Sequence, residues 1–128
     1  MSLELELLVW SVALAFAQCL LAVTGAMLQV GLPMLAGNRE KMPAITGWAG
    51  RAERAHRNML QSLVLFAALV LTAQVTGRLD ATTALGAQLF FWARLAYVAV
   101  YVIGLPWVRT AVWAVSVIGL VLIFVRLV

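Results

Sequence analysis

GWAGRAERAHRNMLQSLVLFAALVLTAQV, residues 47–75, opens with a polar cluster and continues as a run that only lipid would solvate. Arg51, Glu53, Arg54, His56, Arg57, Asn58 and Gln61 crowd its first half. The rest of the chain decides how this stretch is read. Of 128 residues, 65% are hydrophobic and 11% charged, and the mean hydropathy is +1.03. A soluble domain of this length could not hide so much apolar surface in one core, so the bilayer is its solvent. A net charge of +4 and a pI near 10.2 do not point to nucleic acid. The basic residues flank or enter apolar spans and form no solvated patch. Cys19 is the single cysteine, so no internal disulfide can form, and its mid-span position suits a small packing residue.

Four apolar spans are expected, at about 5–30, 52–75, 82–103 and 107–127. Each supplies the ~20 residues a helix needs to cross ~30 Å of hydrocarbon. The first does not read as a secretory signal, because Glu4 and Glu6 precede a run too long for an h-region. VGLPMLAGNREKMPAITGWAG, with Pro33, Pro43 and several glycines, is expected to be a loop; TGRLD and GLPW are tighter connections. The fold class is all-α, a single-domain integral membrane four-helix bundle over residues 1–128. Four spans place both termini on one side with Arg78 and Arg126. Arg39, Lys41, Arg51, Arg54, Arg57 and Arg109 lie on the other. The positive-inside rule puts that second side in the cytoplasm and both termini in the periplasm, in the inner membrane of a bacterium. Trp48 and Trp107 then fall in the cytoplasmic aromatic belt and Trp10 near the opposite one.

On a helix, Arg51, Arg54, Ala55, Asn58 and Gln61 share one face, while Glu53 and Arg57 form an i, i+4 ion pair on another. Arg51 and Arg57 can snorkel to the interface. Asn58 and Gln61 lie deeper and are either helix–helix glue or part of a ligand site. His56 has no second ligand at metal-binding spacing, so no metal site is expected. The third span repeats the pattern: Arg94, Tyr97 and Tyr101 share a face, and an arginine near mid-span is a functional candidate. Counted from the loop side, Arg54 is level with Tyr101, Asn58 with Tyr97 and Gln61 with Arg94. The two ladders describe a wedge open to an anion from the aqueous side and to a lipophilic small molecule from the bilayer.

RAERAHRNMLQ, together with Arg94, Tyr97 and Tyr101, resembles the membrane-associated proteins in eicosanoid and glutathione metabolism, the MAPEG family, in its bacterial type. The family's second helix carries Arg-x-x-Arg-Ala-x-x-Asn-x-x-Glu, matched here by Arg51, Arg54, Ala55 and Asn58. Its third carries Arg-x-x-Tyr with a further Tyr. The resemblance implies a homotrimer that binds glutathione as co-substrate between subunits, with Arg51, Arg54, Asn58, Gln61 and Arg94 as binding residues. It implies conjugation of a lipophilic electrophile or peroxide reduction, with Tyr97, Tyr101 and Arg109 beside the thiol. A cation or hydroxyl there favours the thiolate, the actual nucleophile. Gln61 stands where the pattern has glutamate and brings no negative charge. The first span lacks the arginine that some members carry, and Arg109 is slightly out of register. Two other readings stay open. One is a non-catalytic protein of the same fold. The other is a small multidrug transporter, which would need an acidic residue deep in a span; only Glu53 comes near.

Overall fold

The computed structural model describes all 128 residues. It holds α1 (Leu3–Val30), a short α2 (Leu32–Ala36), α3 (Gly47–Thr76), α4 (Ala81–Ile103) and α5 (Pro106–Leu127). The four long helices are each long and apolar enough to cross a membrane. Only 27 of the 128 residues are buried, and large apolar side chains cover the outer surface, the arrangement that lipid rather than water selects.

Two boundaries differ from the sequence reading. Leu32–Ala36 forms a helical turn, started by Pro33, whose missing N–H costs nothing in a first turn. Residues 47–50, expected in the loop, open α3. Two of them, Ala49 and Gly50, are small where packing is close: a Cβ on Gly25 of α1 would lie 2.5 Å from Ala49 Cβ, and one on Gly50 would lie 2.5 Å from the Ile45 carbonyl oxygen. Gln29 clamps the same junction by donating to the Thr46 carbonyl (2.7 Å) and accepting from the Thr46 N–H (3.0 Å).

α1 packs on α3 and α4, α4 packs most extensively on α5, and α3 touches α5 only lightly. A core of Met59, Phe66, Val70, Ala87, Phe90 and Ile123 fills the middle, with the Phe66 and Phe90 rings stacked at 4.1 Å. Both termini sit at one end. There Asp80 caps α4 through a reciprocal pair with Thr83 and also takes a 2.7 Å hydrogen bond from Arg126 Nε. The Thr83 backbone N–H first, and then Arg126, holds the Asp80 carboxyl below the ordinary carboxylate range. Thr83 Oγ1 donates in turn to Glu4 Oε2 (3.0 Å), tying α1 to α4 and burying Glu4 to 4% exposure. The long 31–46 connection and the Gly104–Leu105 turn lie at the opposite end, where α4 closes on Gly104 at φ 91, a conformation that glycine adopts without a Cβ clash.

Candidate functional site

The polar face of α3 meets the end of α4 through named contacts. Arg51 Nε donates to the Val102 carbonyl (2.9 Å), one of the unpaired carbonyls at the C-terminus of α4, where a cation is also favoured by the helix dipole. Arg54 Nε donates to the Tyr101 hydroxyl oxygen (3.3 Å), which leaves that hydroxyl's own proton free. The Arg109 guanidinium, carried by the first turn of α5, lies over the Tyr101 ring at 4.7 Å. Tyr97 and Tyr101 are neighbours, with ring centroids 5.4 Å apart. Asn58, Tyr97, Arg109, Thr110 and Trp113 enclose a cavity of about 170 Å³. The first two rungs expected from depth therefore meet: Arg54 with Tyr101 directly, and Asn58 with Tyr97 across the cavity.

The third rung does not form. Gln61 is exposed toward the cleft between α3 and α5, where it lines a second cavity of about 170 Å³ with Trp113 and Ser116. Arg94 is turned inward, 1% exposed, with its guanidinium over the Tyr97 ring at 4.2 Å and no hydrogen-bond partner for any of its nitrogens. Equal depth sets two residues level but does not turn them toward each other. The cation–π contact is worth about 2 kcal/mol when desolvated, less than the several kcal/mol that burying an unpaired ion costs. Arg94 is thus a buried charge short of partners. Gln18 of α1, 2% exposed, has an unpartnered side-chain amide, and the Asn58 side-chain oxygen is likewise buried and free. The Glu4–Thr83 contact sets parallel α1 and α4 in register, so Gln18 comes level with Tyr97. The sequence reading missed Gln18. Its signal was present: Glu4, Ser11, Gln18 and Gly25 recur at seven-residue spacing and all lie on the buried face of α1.

The cavities adjoin through shared walls. Asn58 and Trp113 line both of the polar ones, and Leu65 and Leu120 join the second to a wholly apolar groove of about 350 Å³ that reaches Phe124. The α3–α5 cleft therefore grades from cationic and hydroxyl-bearing near Arg109 to purely hydrocarbon deeper in the bundle. Such a cleft can hold a polar anion at one end and a lipophilic molecule along its length. Glu53 and Arg57 form the expected pair (2.9 Å) on a separate, exposed face. His56 faces the flank of α3 away from the cleft, beside α1.

The MAPEG family model matches residues 7–128 of the chain. Neither a curated protein sequence nor a solved structure matches it.

Proposed function

The chain belongs to the MAPEG family, and from that premise we propose that it is a membrane-embedded glutathione-dependent transferase or peroxidase acting on lipophilic electrophiles. The observation that carries this reading is the graded cleft, which ends on Asn58, Tyr97 and Arg109. Glutathione brings two carboxylates, an ammonium and a thiol. Arg54 and Arg51 keep guanidinium nitrogens free for a carboxylate after bonding Tyr101 and Val102 through Nε. The unpartnered Asn58 oxygen can accept from a ligand N–H. Arg94, behind Tyr97, adds positive potential without touching the cleft. Tyr97 and Arg109 line the same cavity, and a hydroxyl and a guanidinium there would stabilise the thiolate after its proton leaves. At an electrophilic carbon the sulfur lone pair forms a C–S bond while the leaving group, chloride for example, departs with the bonding pair. At a hydroperoxide it attacks the terminal oxygen, the O–O bond breaks, the alkoxide takes up a proton, and a second glutathione converts the sulfenic acid to disulfide and water. The apolar groove beyond Leu65 supplies the route from the bilayer. The membrane proposed is a bacterial inner membrane, and charge asymmetry between the two ends favours the orientation with the 31–46 connection in the cytoplasm.

Gln61 favours a second reading, a non-catalytic protein of the family fold, because it offers no charge to the glutathione ammonium. Purified protein assayed with glutathione plus chlorodinitrobenzene or a lipid hydroperoxide separates the two. An active protein should lose roughly a hundred-fold in kcat on Arg109→Leu with little change in the KM for glutathione, as expected for a group acting on developing charge. Turnover of neither substrate, together with no heat of glutathione binding, would establish the second reading.

A further inference from the structure

A cavity of about 420 Å³ lies away from the cleft, lined by α1, by α2 with the connection that follows it, and by α3. Its volume falls within the usual range of small-molecule sites. Cys19 and Ala22 of α1, Leu35 of α2 and Ile45 of the connection line it, and His56 lines it from α3 with a buried, unpartnered Nδ1. The lining is otherwise almost entirely apolar, with Arg39 at the edge. Arg39 also lines a second, polar cup of about 230 Å³, together with Asn38, Glu40 and Lys41. The hydrocarbon space and the polar cup thus adjoin at one guanidinium. Arg39 is held there by unusual means. It is the one non-glycine residue with positive φ (66), a conformation that costs free energy unless the surroundings impose it. Its Nε is fixed on the Leu35 carbonyl at 2.8 Å, which leaves its terminal nitrogens unbonded. Glu53, the only carboxylate on the apolar cavity, is already paired with Arg57.

We propose that this is a binding site for an anionic membrane phospholipid, one acyl chain lying over Cys19 and the phosphate at Arg39 and Lys41. The cup sets two cations, Arg39 and Lys41, against the single carboxylate of Glu40, and neither cation is in an ion pair. The space beside it is apolar, and the connection lies at the end of the bundle where a headgroup layer meets water. A zwitterionic lipid offers the same chain but no net charge for Arg39. The site lies on the opposite flank of α3 from Asn58, because His56 and Asn58 differ by two residues on a helix of 3.6 residues per turn. It does not rest on the glutathione reading.

Cys19 provides the assay, since it is the only cysteine and lines the cavity. The full chain is delipidated and reconstituted into vesicles of phosphatidylcholine, alone or mixed with phosphatidylglycerol, and the rate of Cys19 alkylation by a membrane-permeant maleimide is measured. Phosphatidylglycerol should slow alkylation about ten-fold, the protection expected from roughly nine-tenths occupancy by mass action. Arg39→Gln and, separately, Lys41→Gln should abolish most of that difference while leaving the rate in phosphatidylcholine unchanged. Both side chains are exposed, so neither change threatens the fold. Equal rates in the two lipid mixtures would overturn the proposal. So would a Cys19 that reacts only after denaturation in dodecyl sulfate, because the protein or a second copy would then already close the cavity. Protection that survives both substitutions would also defeat it.

Discussion

At residue 61 a single atom type separates the two functional readings. Glutamine presents an amide where a carboxylate would meet the glutathione ammonium, and it does so on the exposed edge of the cleft. Gln61→Glu should tighten glutathione binding about ten-fold, since a hydrogen bond to a charged group contributes about 1.5–3 kcal/mol and partial exposure keeps the new carboxylate's desolvation cost low. Isothermal titration of parent and variant checks this. An unchanged or weaker affinity in the variant would show that the ammonium does not reach residue 61. Residue spacing made part of this site legible from sequence. Arg54 and Tyr101, or Asn58 and Tyr97, come together because antiparallel helices of known rise fix their depth. Gln61 and Arg94 are equally level and yet face different neighbours, because depth says nothing about rotation around the helix axis. Gln18 escaped notice because one amide in an apolar run acquires meaning only once the buried face of α1 is known.

Among the elements, α4 and α5 approach most closely, and glycine permits it. A Cβ on Gly86 would stand 2.6 Å from the Gly119 carbonyl oxygen, and one on Gly119 would stand 2.5 Å from that of Gly86. The obstacle in each case is backbone, which cannot swing aside as a side chain can. Close backbone approach at small residues is a principal source of helix association where lipid removes the hydrophobic driving force. Gly119→Leu should therefore force α5 off α4. The cost is about 1–3 kcal/mol for overpacking, and Arg109 should be displaced from Tyr101. A lowered melting temperature in detergent should accompany weaker glutathione binding, whereas Ile118→Leu, on the exposed side, should change neither. A Gly119→Leu protein that melts like the parent would mean that the two backbones are not in contact. The spans themselves were readable to within a few residues, since twenty apolar residues have one structural solution in lipid. The start of α3 was not, because glycine and alanine mark turns and close helix packing alike, and only the presence of Gly25 opposite Ala49 tells them apart.

For the whole molecule the unresolved demand is the α3–α5 side. α1 and α4 shield the inner faces of the bundle, but the light contact between α3 and α5 leaves a cleft whose polar rungs, Asn58 and Gln61, would otherwise open onto hydrocarbon. Polar side chains at that depth are costly against lipid and are normally turned toward protein or a wet cavity. Away from the two ends, the rest of the surface is apolar and at home in the bilayer apart from the self-paired Glu53 and Arg57. A second copy of the chain that lays an apolar flank over the cleft would enclose the site and keep water and lipid headgroups from the thiolate. Because the cleft and the flank are different surfaces, such a contact would be head-to-tail, which gives a ring where the rotation between copies closes. A ring of three agrees with the assembly that the family resemblance implies. Native mass measurement in a mild detergent should accordingly give three times the 13.9 kDa chain, with chemical cross-links stopping at the trimer. Leu65→Arg, placed on the rim shared by the polar cavity and the apolar groove, should shift the population toward smaller species. It should also reduce glutathione binding in proportion, since the cleft would lose its cover. Only monomer or dimer for the parent at every protein concentration would leave the cleft facing lipid and would sink the intersubunit arrangement.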